Sequence, residues 1–350
     1  MSDGNFGGSG LEPLDESNAP GQFILSGSTR FLTIPTLSES LAGRAGFVEL
    51  WPLAVAERAG VTADLARILT ETPRDLLAAD ASPWSRANYL DLIVGGGFPE
   101  AIRLPEGQVR RAWFEGYVQT VIQRDVRQFA DIRHGSVVPR LLALLAARAG
   151  GQLIANDLAR VVELGQPTVR DYLSYLDMVF LTTQIPGWAT GLTTKAAKNP
   201  KTYLTDTGVA AHLMNADVDT LREPGHPALG PLVETFVVTE LLKLFADDDR
   251  GLVIQYFRDR DGREIDVILE SRDGRVTAIE VKALATASAK DFRHLTWLRD
   301  KLGDRFIAGI VCNLVAESLS FGDRLMAVPV SALWQHAGAR DLNVTAIQPN

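Results

Sequence analysis

Apolar residues recur at helical spacing from Leu65 to Leu77 and again from Val109 to Asp131, so two helical stretches are predicted there. In the second stretch Phe114, Val118, Val121, Ile122 and Phe129 fall close to one stripe, while Arg124 and Arg127 project elsewhere. Asp125 falls inside the stripe and so calls for a partner. The glycine-rich segment GGGFPEAI, Gly95 to Ile102, breaks both periods and reads as a loop. Val138 to Ala147 gives one more helix. Nearer the start, Phe23 to Leu25 followed by Ser-Gly-Ser predicts a buried strand ending in a turn. A second strand is expected at Phe47 to Leu50, which together suggest an α/β remnant.

The segment from Gly151 to Trp188 has the outline of a helix-turn-helix. Asn156 or Asp157 can cap a first helix carrying Leu158, Ala159 and Val162, and Gly165 breaks it. Pro167 and Thr168 open a second helix with Val169, Tyr172, Leu173 and Leu176. The apolar strand Phe180 to Ile185 follows, which makes a winged helix the expectation. A strand at Lys201 to Leu204 and a helix begun after Asp206 complete this region. From Leu229 the pattern gives a helix over 231–245, a strand over 252–258, a hairpin over 264–283, a helix over 290–301 and a strand over 305–311. That order, α-β-β-β-α-β, describes a compact α/β domain.

The hairpin carries the chemistry. Side chains alternate along a strand, so Ile265, Val267 and Leu269 are expected on one face and Glu264, Asp266 and Ile268 on the other. In the second strand Val276, Ala278, Glu280 and Lys282 share a face. If Ser271 and Arg275 close a three-residue loop with Gly274 in the left-handed position, Asp266 lies opposite Glu280 and Glu264 opposite Lys282. Directly opposed residues bring their Cβ atoms to about 5 Å, so the two carboxylates require something positive between them. Mg²⁺ suits that gap, because it takes oxygen ligands and lowers the pKa of a bound water. Lys282 is placed to orient such a water. The competing reading is a structural hairpin with charges on its wet face.

Composition narrows the class. The chain has 350 residues, 46% hydrophobic and 22% charged, which is ordinary for a globular protein of two or three domains. A net charge of −8 argues against a broadly basic nucleic-acid binder and leaves only local basic surfaces. Its single cysteine, Cys312, excludes an intramolecular disulfide and a thiolate zinc cage. The five histidines, His134 and His294 among them, show no ligand spacing. No apolar stretch is long enough for a membrane helix and the N-terminus has no signal-peptide pattern, so the expectation is a cytoplasmic protein with no membrane partner. Residues 1–20, rich in Gly, Ser, Asn and Pro, read as a disordered start.

Asp266 followed by Glu280-Val281-Lys282 resembles the D…(D/E)xK signature of the PD-(D/E)xK nuclease superfamily, in particular its Holliday-junction-resolvase-like branch. In that family an acidic residue on the preceding helix completes the site, and PLVETFVVTELLK offers Glu234, the better match by position, or Glu240. The resemblance thus implies Glu234, Asp266 and Glu280 as metal ligands and Asp266, Glu280 and Lys282 as the catalytic set, with Mg²⁺ as cofactor.

Further blocks, among them GGFPEAI, YVQTVIQRDVRQFADI, QPTVRDYLSYLDMVFL, KNPKTYLTDTGVAAHL and PLVETFVVTELLK, make the whole chain similar to a large bacterial and archaeal family of AAA-type ATPases. Its members pair a P-loop domain with a nuclease-like C-terminal domain of unknown function. The resemblance implies a mixed α/β multidomain chain. Its parts are a disordered start (1–20), a remnant of the P-loop ATPase domain (21–60), a helical lid or linker (61–149), a winged helix (150–215), a nuclease-like domain (225–335) and a tail (336–350). The departure lies in the nucleotide site. A P-loop requires Gly-Lys before Ser or Thr, and this sequence contains no Gly-Lys pair. ATP binding is therefore not expected of this chain, no nucleotide-binding residues are assigned, Arg44 reads as capping or pairing locally, and Arg124 and Arg127 read as solvated, with Asp125 bonded to a neighbouring segment. The chain reads as starting after both nucleotide motifs: truncated, degenerate, or an ATPase whose P-loop half lies upstream. In the helix-turn-helix, Gln166, Thr168, Arg170 and Asp171 would face a DNA groove, with Lys195, Lys198 and Lys201 meeting phosphates. DNA is the expected partner, a homo-oligomer or protein partner a further one. Metal-dependent DNA cleavage and a non-catalytic DNA-binding or assembly role both remain open.

Overall fold

The structure, a computed structural model, describes residues 24, 26–29, 45–61, 64–78, 81–126, 137–189, 199–223, 225–246, 248–284, 286–314 and 316–335. In chain order the helices before the first strand are α1 (Val55–Arg58), α2 (Leu65–Thr70), α3 (Arg86–Gly95), α4 (Pro99–Arg103), α5 (Gln108–Thr120), α6 (Val137–Ala147), α7 (Ala155–Val162) and α8 (Gln166–Met178). Strands β1 (Thr182–Ile185) and β2 (Lys201–Leu204) follow, then α9 (Thr207–Leu213), α10 (Val218–Arg222) and α11 (Leu229–Leu244). The last part runs β3 (Val253–Arg258), β4 (Glu264–Glu270), β5 (Val276–Val281), α12 (Arg293–Leu302), β6 (Phe306–Asn313), β7 (Leu319–Gly322) and β8 (Leu325–Pro329). The fold is mixed α/β: helices, a two-stranded sheet β1-β2, and a six-stranded sheet of order β3-β4-β5-β6-β8-β7.

The helix-turn-helix order is observed, with differences at its start. Helix α7 begins at Ala155, so Asn156 and Asp157 lie inside it and Ile154 holds the capping position. Gly165 caps α8 and Pro167 sits in its first turn, where its missing N–H costs nothing. Antiparallel β1 and β2 follow, with Ile185 opposite Lys201. The expected loop at 95–102 is shorter than predicted, because Pro99 opens α4 and leaves only Gly96–Phe98 between helices. Phe47–Leu50 is not a strand. Among the described residues it joins neither sheet, and Val48 and Leu50 are 73% and 91% exposed. Of the predicted strand at 23–25 only Ile24 is described, exposed and outside any strand, while Phe129, Arg127, Arg44 and His134 lie outside the described residues. The stripe of α5 is buried at Phe114 and Val118 and continues through a π-helical turn, Val121–Val126, where Asp125 is buried beside Arg124 at 3.8 Å.

In the six-stranded sheet β3, β4 and β5 form an antiparallel meander, and β6 lies parallel to β5 after the crossover through α12. Helix α11, β3, β4, β5, α12 and β6 thus occur in the predicted α-β-β-β-α-β order. Strands β7 and β8, absent from the sequence reading, extend the far edge, with β8 parallel to β6 and antiparallel to β7. One face of the sheet, with Val267, Leu269 and Ile279, packs on Leu232, Val233, Phe236 and Val237 of α11 in a core that reaches back to Val55. The opposite face, with Ile265, Ile268, Val276 and Ala278, packs on Leu295 and Leu298 of α12. Ile265 and Ile268 share a face because β4 carries one extra residue: Gln255 pairs with Ile268 but Phe257 with Ile265, so Tyr256 stands against both Asp266 and Val267. Strict alternation placed Ile265 with Val267, and the bulge corrects it.

A candidate carboxylate cleft at the junction of hairpin and sheet

The β4–β5 turn forms as the spacing predicts. The Ser271 N–H donates to the Arg275 carbonyl at 3.0 Å, and Gly274 takes φ +78°, a conformation that glycine adopts without strain. The register follows: Val267 pairs with Ile279, Ile268 with Ala278, Leu269 with Thr277 and Glu270 with Val276. The ladder ends there. Beyond it the Asp266 carboxylate accepts the Val281 N–H at 2.9 Å, so a side chain replaces the next backbone partner. The bulge that turns Asp266 toward α11 thereby also satisfies the strand end.

Glu234, Glu264, Asp266, Glu280 and Lys282 line one cleft of about 450 Å³, together with His294, Gly230, Pro231 and Ala149. Helix phase separates the two candidate helix carboxylates. Glu234 opens into the cleft, whereas Glu240 is buried elsewhere, accepting from the Val55 N–H at 2.8 Å and from Lys243 Nζ at 2.8 Å. The sequence reading therefore brings Asp266, Glu280, Lys282 and Glu234 together in one place.

The cation between the carboxylates is a lysine of this chain. Lys201 Nζ stands 3.0 Å from Glu234 Oε1, 2.8 Å from Glu264 Oε1 and 3.3 Å from Asp266 Oδ1, with its side chain 1% exposed. Expected on a wing surface facing phosphates, Lys201 is instead buried, because β2 points it into the acids of α11 and β4. Tyr203, two residues on and on the same side of β2, donates its hydroxyl to Glu234 Oε1 at 2.8 Å. Neither residue was recognised from sequence as part of this cleft. Charge accounting gives part of the signal: the four carboxylates assigned to this place outnumber Lys282, so a further cation is called for.

Electrostatics follow from burial. Burial alone lowers the Lys201 pKa, but Asp266, Glu234 and Glu264 outweigh it and hold the ammonium well above its ordinary value. Burial, then the Asp266 charge, pushes the Glu234 carboxyl up to about 7, although Lys201 and Tyr203 act the other way. The same two causes push Glu280 up to about 8, and Lys282, at 2.7 Å from Glu280 Oε1, only partly offsets them. Glu280 Oε2 is buried and accepts no hydrogen bond.

Oxygen ligands of this kind suit a hard dication, yet their arrangement does not fit one. Lys201 contacts three of the carboxylates, Tyr203 and the Val281 N–H occupy further lone pairs, and Lys282 holds Glu280. Among the described residues no group of three or more His, Cys, Asp or Glu is arranged to hold a metal ion. On α8, Gln166 and Thr168 are half-buried and Arg170 and Asp171 exposed. Lys195 and Lys198 lie outside the described residues.

Two segments match families of proteins. Residues 86–220 match a domain of unknown function, DUF8612, and residues 229–333 match a second, DUF4143. The chain is 29% identical over 321 residues to the uncharacterized proteins Rv2008c of Mycobacterium tuberculosis and Mb2031c of Mycobacterium bovis. The match covers 91% of this chain and 64% of each relative, so the chain spans less than two thirds of their length. No solved structure matches.

Proposed function

We propose that the chain is a DNA-associated, non-hydrolytic module of an AAA-type ATPase protein, in which a winged helix faces nucleic acid and a nuclease-like α/β domain is the body it docks on. The observation that carries the non-hydrolytic reading is the contact of Lys201 Nζ with Glu234, Glu264 and Asp266, which puts a fixed ammonium where a nuclease needs a metal and its water. The α-β-β-β-α-β order and the gathering of Asp266, Glu280 and Lys282 support a nuclease-like ancestry, and fold does not carry chemistry with it. Arg170, exposed on α8, supports phosphate or base contact by the second helix of the helix-turn-helix, beside Gln166 and Thr168. This chain binds no ATP itself in this reading. No described helix is long and apolar enough to cross a membrane.

A second reading, Mg²⁺-dependent phosphodiester hydrolysis, is favoured by one observation, the buried and unpartnered Glu280 Oε2. Incubation with linear and branched DNA plus Mg²⁺ or Mn²⁺, beside Glu280→Ala, separates the two. The first reading expects salt-sensitive DNA binding with no cleavage above an identical background in both proteins. Metal-dependent cleavage lost in Glu280→Ala would overturn it, and absence of DNA binding at low salt would remove DNA as the partner.

A further inference from the structure

We infer that Lys201 is an ionic tether, through which the helix-turn-helix hairpin supplies the positive charge that the carboxylates of the α/β region require and is held against the sheet by it. The inference rests on reading the cleft as filled, and it does not depend on DNA.

The geometry is that of a saturated ammonium. Three N–H donors meet three carboxylate oxygens between 2.8 and 3.3 Å, and the side chain is 1% exposed. The lysine and the acids come from different parts of the chain: Lys201 from β2, Glu234 from α11, Glu264 and Asp266 from β4. Other bonds follow the same seam. The Trp188 N–H donates to the Tyr256 carbonyl at 2.6 Å and the Tyr256 N–H to the Pro186 carbonyl at 3.0 Å, while Gln152 Nε2 donates to the Tyr256 hydroxyl at 2.9 Å. Lys201 Nζ also lies 5.5 Å from the centre of the Tyr256 ring. Neighbouring cations do not replace it. Lys282 is engaged by Glu280 at 2.7 Å, and Arg258 stands 3.5 Å from the other oxygen of Glu264. Withdrawal of the hairpin therefore leaves Glu234 and Asp266 without a cation, a state that a buried site resists. A divalent cation and Lys201 compete for the same oxygens, so each excludes the other.

The test uses the full chain as wild type, Lys201→Met, and the triple variant Lys201→Met/Glu234→Gln/Asp266→Asn. Lys201→Met is expected to lower the thermal midpoint by roughly 10 °C, because breaking a buried pair leaves unpaired charge. Mn²⁺ alone should raise the midpoint of Lys201→Met and leave wild type unmoved, and the triple variant should recover most of the loss without metal. If Lys201→Met fails to fold, recovery in the triple variant supports the tether and its failure overturns it. Native acetylation with mass spectrometry gives an independent readout. Lys201 should react much more slowly than exposed Lys290, and equal rates would overturn the inference. None of these measurements contains DNA, so a failed DNA test and a failed tether remain distinguishable.

Discussion

Two buried charged clusters in this protein satisfy their carboxylates in opposite ways. In the first, Asp206 caps α9 through the Val209 N–H at 3.0 Å and accepts the Gly97 N–H at 2.7 Å, while Glu240 accepts the Val55 N–H at 2.8 Å and pairs with Lys243 one turn along its own helix. Backbone amides and a local lysine serve these acids, and the cluster fixes loops. In the second, Glu234, Glu264 and Asp266 crowd one another and share a lysine from a distant strand. Acids answered by backbone donors are mainly architectural, whereas acids crowded together and answered by one side chain from a distant strand leave a centre whose charge state can change.

The largest effect that separates them is expected from Lys201→Met, at about 3–5 kcal/mol of lost stability, read as a urea midpoint shift. Asp206→Ala should cost less, about 2–3 kcal/mol, because it removes a helix cap and strands the Gly97 N–H. Hydrogen exchange at Gly97 should rise in that variant while acetylation of Lys201 stays unchanged; a coupled change would merge the two clusters into one network.

A smaller effect lies in the pH dependence. The carboxyls of Glu234 and Glu280 have folded pKa values raised to about 7 and about 8, so the folded protein holds their protons where the unfolded chain releases them. Their contribution is full below the ordinary glutamate value and is lost as pH rises through those folded values. Urea midpoints should therefore fall between about pH 5 and pH 8, and Glu280→Gln should flatten part of that slope. An unchanged slope in Glu280→Gln would remove Glu280 from the crowded centre. The smallest effect is expected from Arg170→Ala: no change in stability, weaker DNA binding, and a salt slope reduced by about one.

Much of this was legible beforehand because it is local. The Gly274 turn sets the β4–β5 register, and Pro167 and Gly165 set the start of α8. Asp266, Glu280 and Lys282 were brought together through that register, with Glu234 as the helix carboxylate. What escaped the sequence is what depends on distant chain. Phe47–Leu50 has strand-like composition but joins no sheet among the described residues, and β-structure is decided by neighbouring strands. Lys201 looks like any solvent-facing lysine until α11 and β4 are placed around it. Strands β7 and β8 sit in short segments whose period alone does not separate strand from loop.

The extra residue in β4 makes the cleft depend on counting as much as on chemistry. Gln255 and Phe257 of β3 face Ile268 and Ile265, and the odd residue between them lets Asp266 and Val267 turn the same way. Deleting one residue there would restore strict alternation, sending either the acid or the apolar side chain across the sheet with every named residue still present. Relatives of this chain should accordingly tolerate exchanges of residue type in β4 more readily than changes of its length.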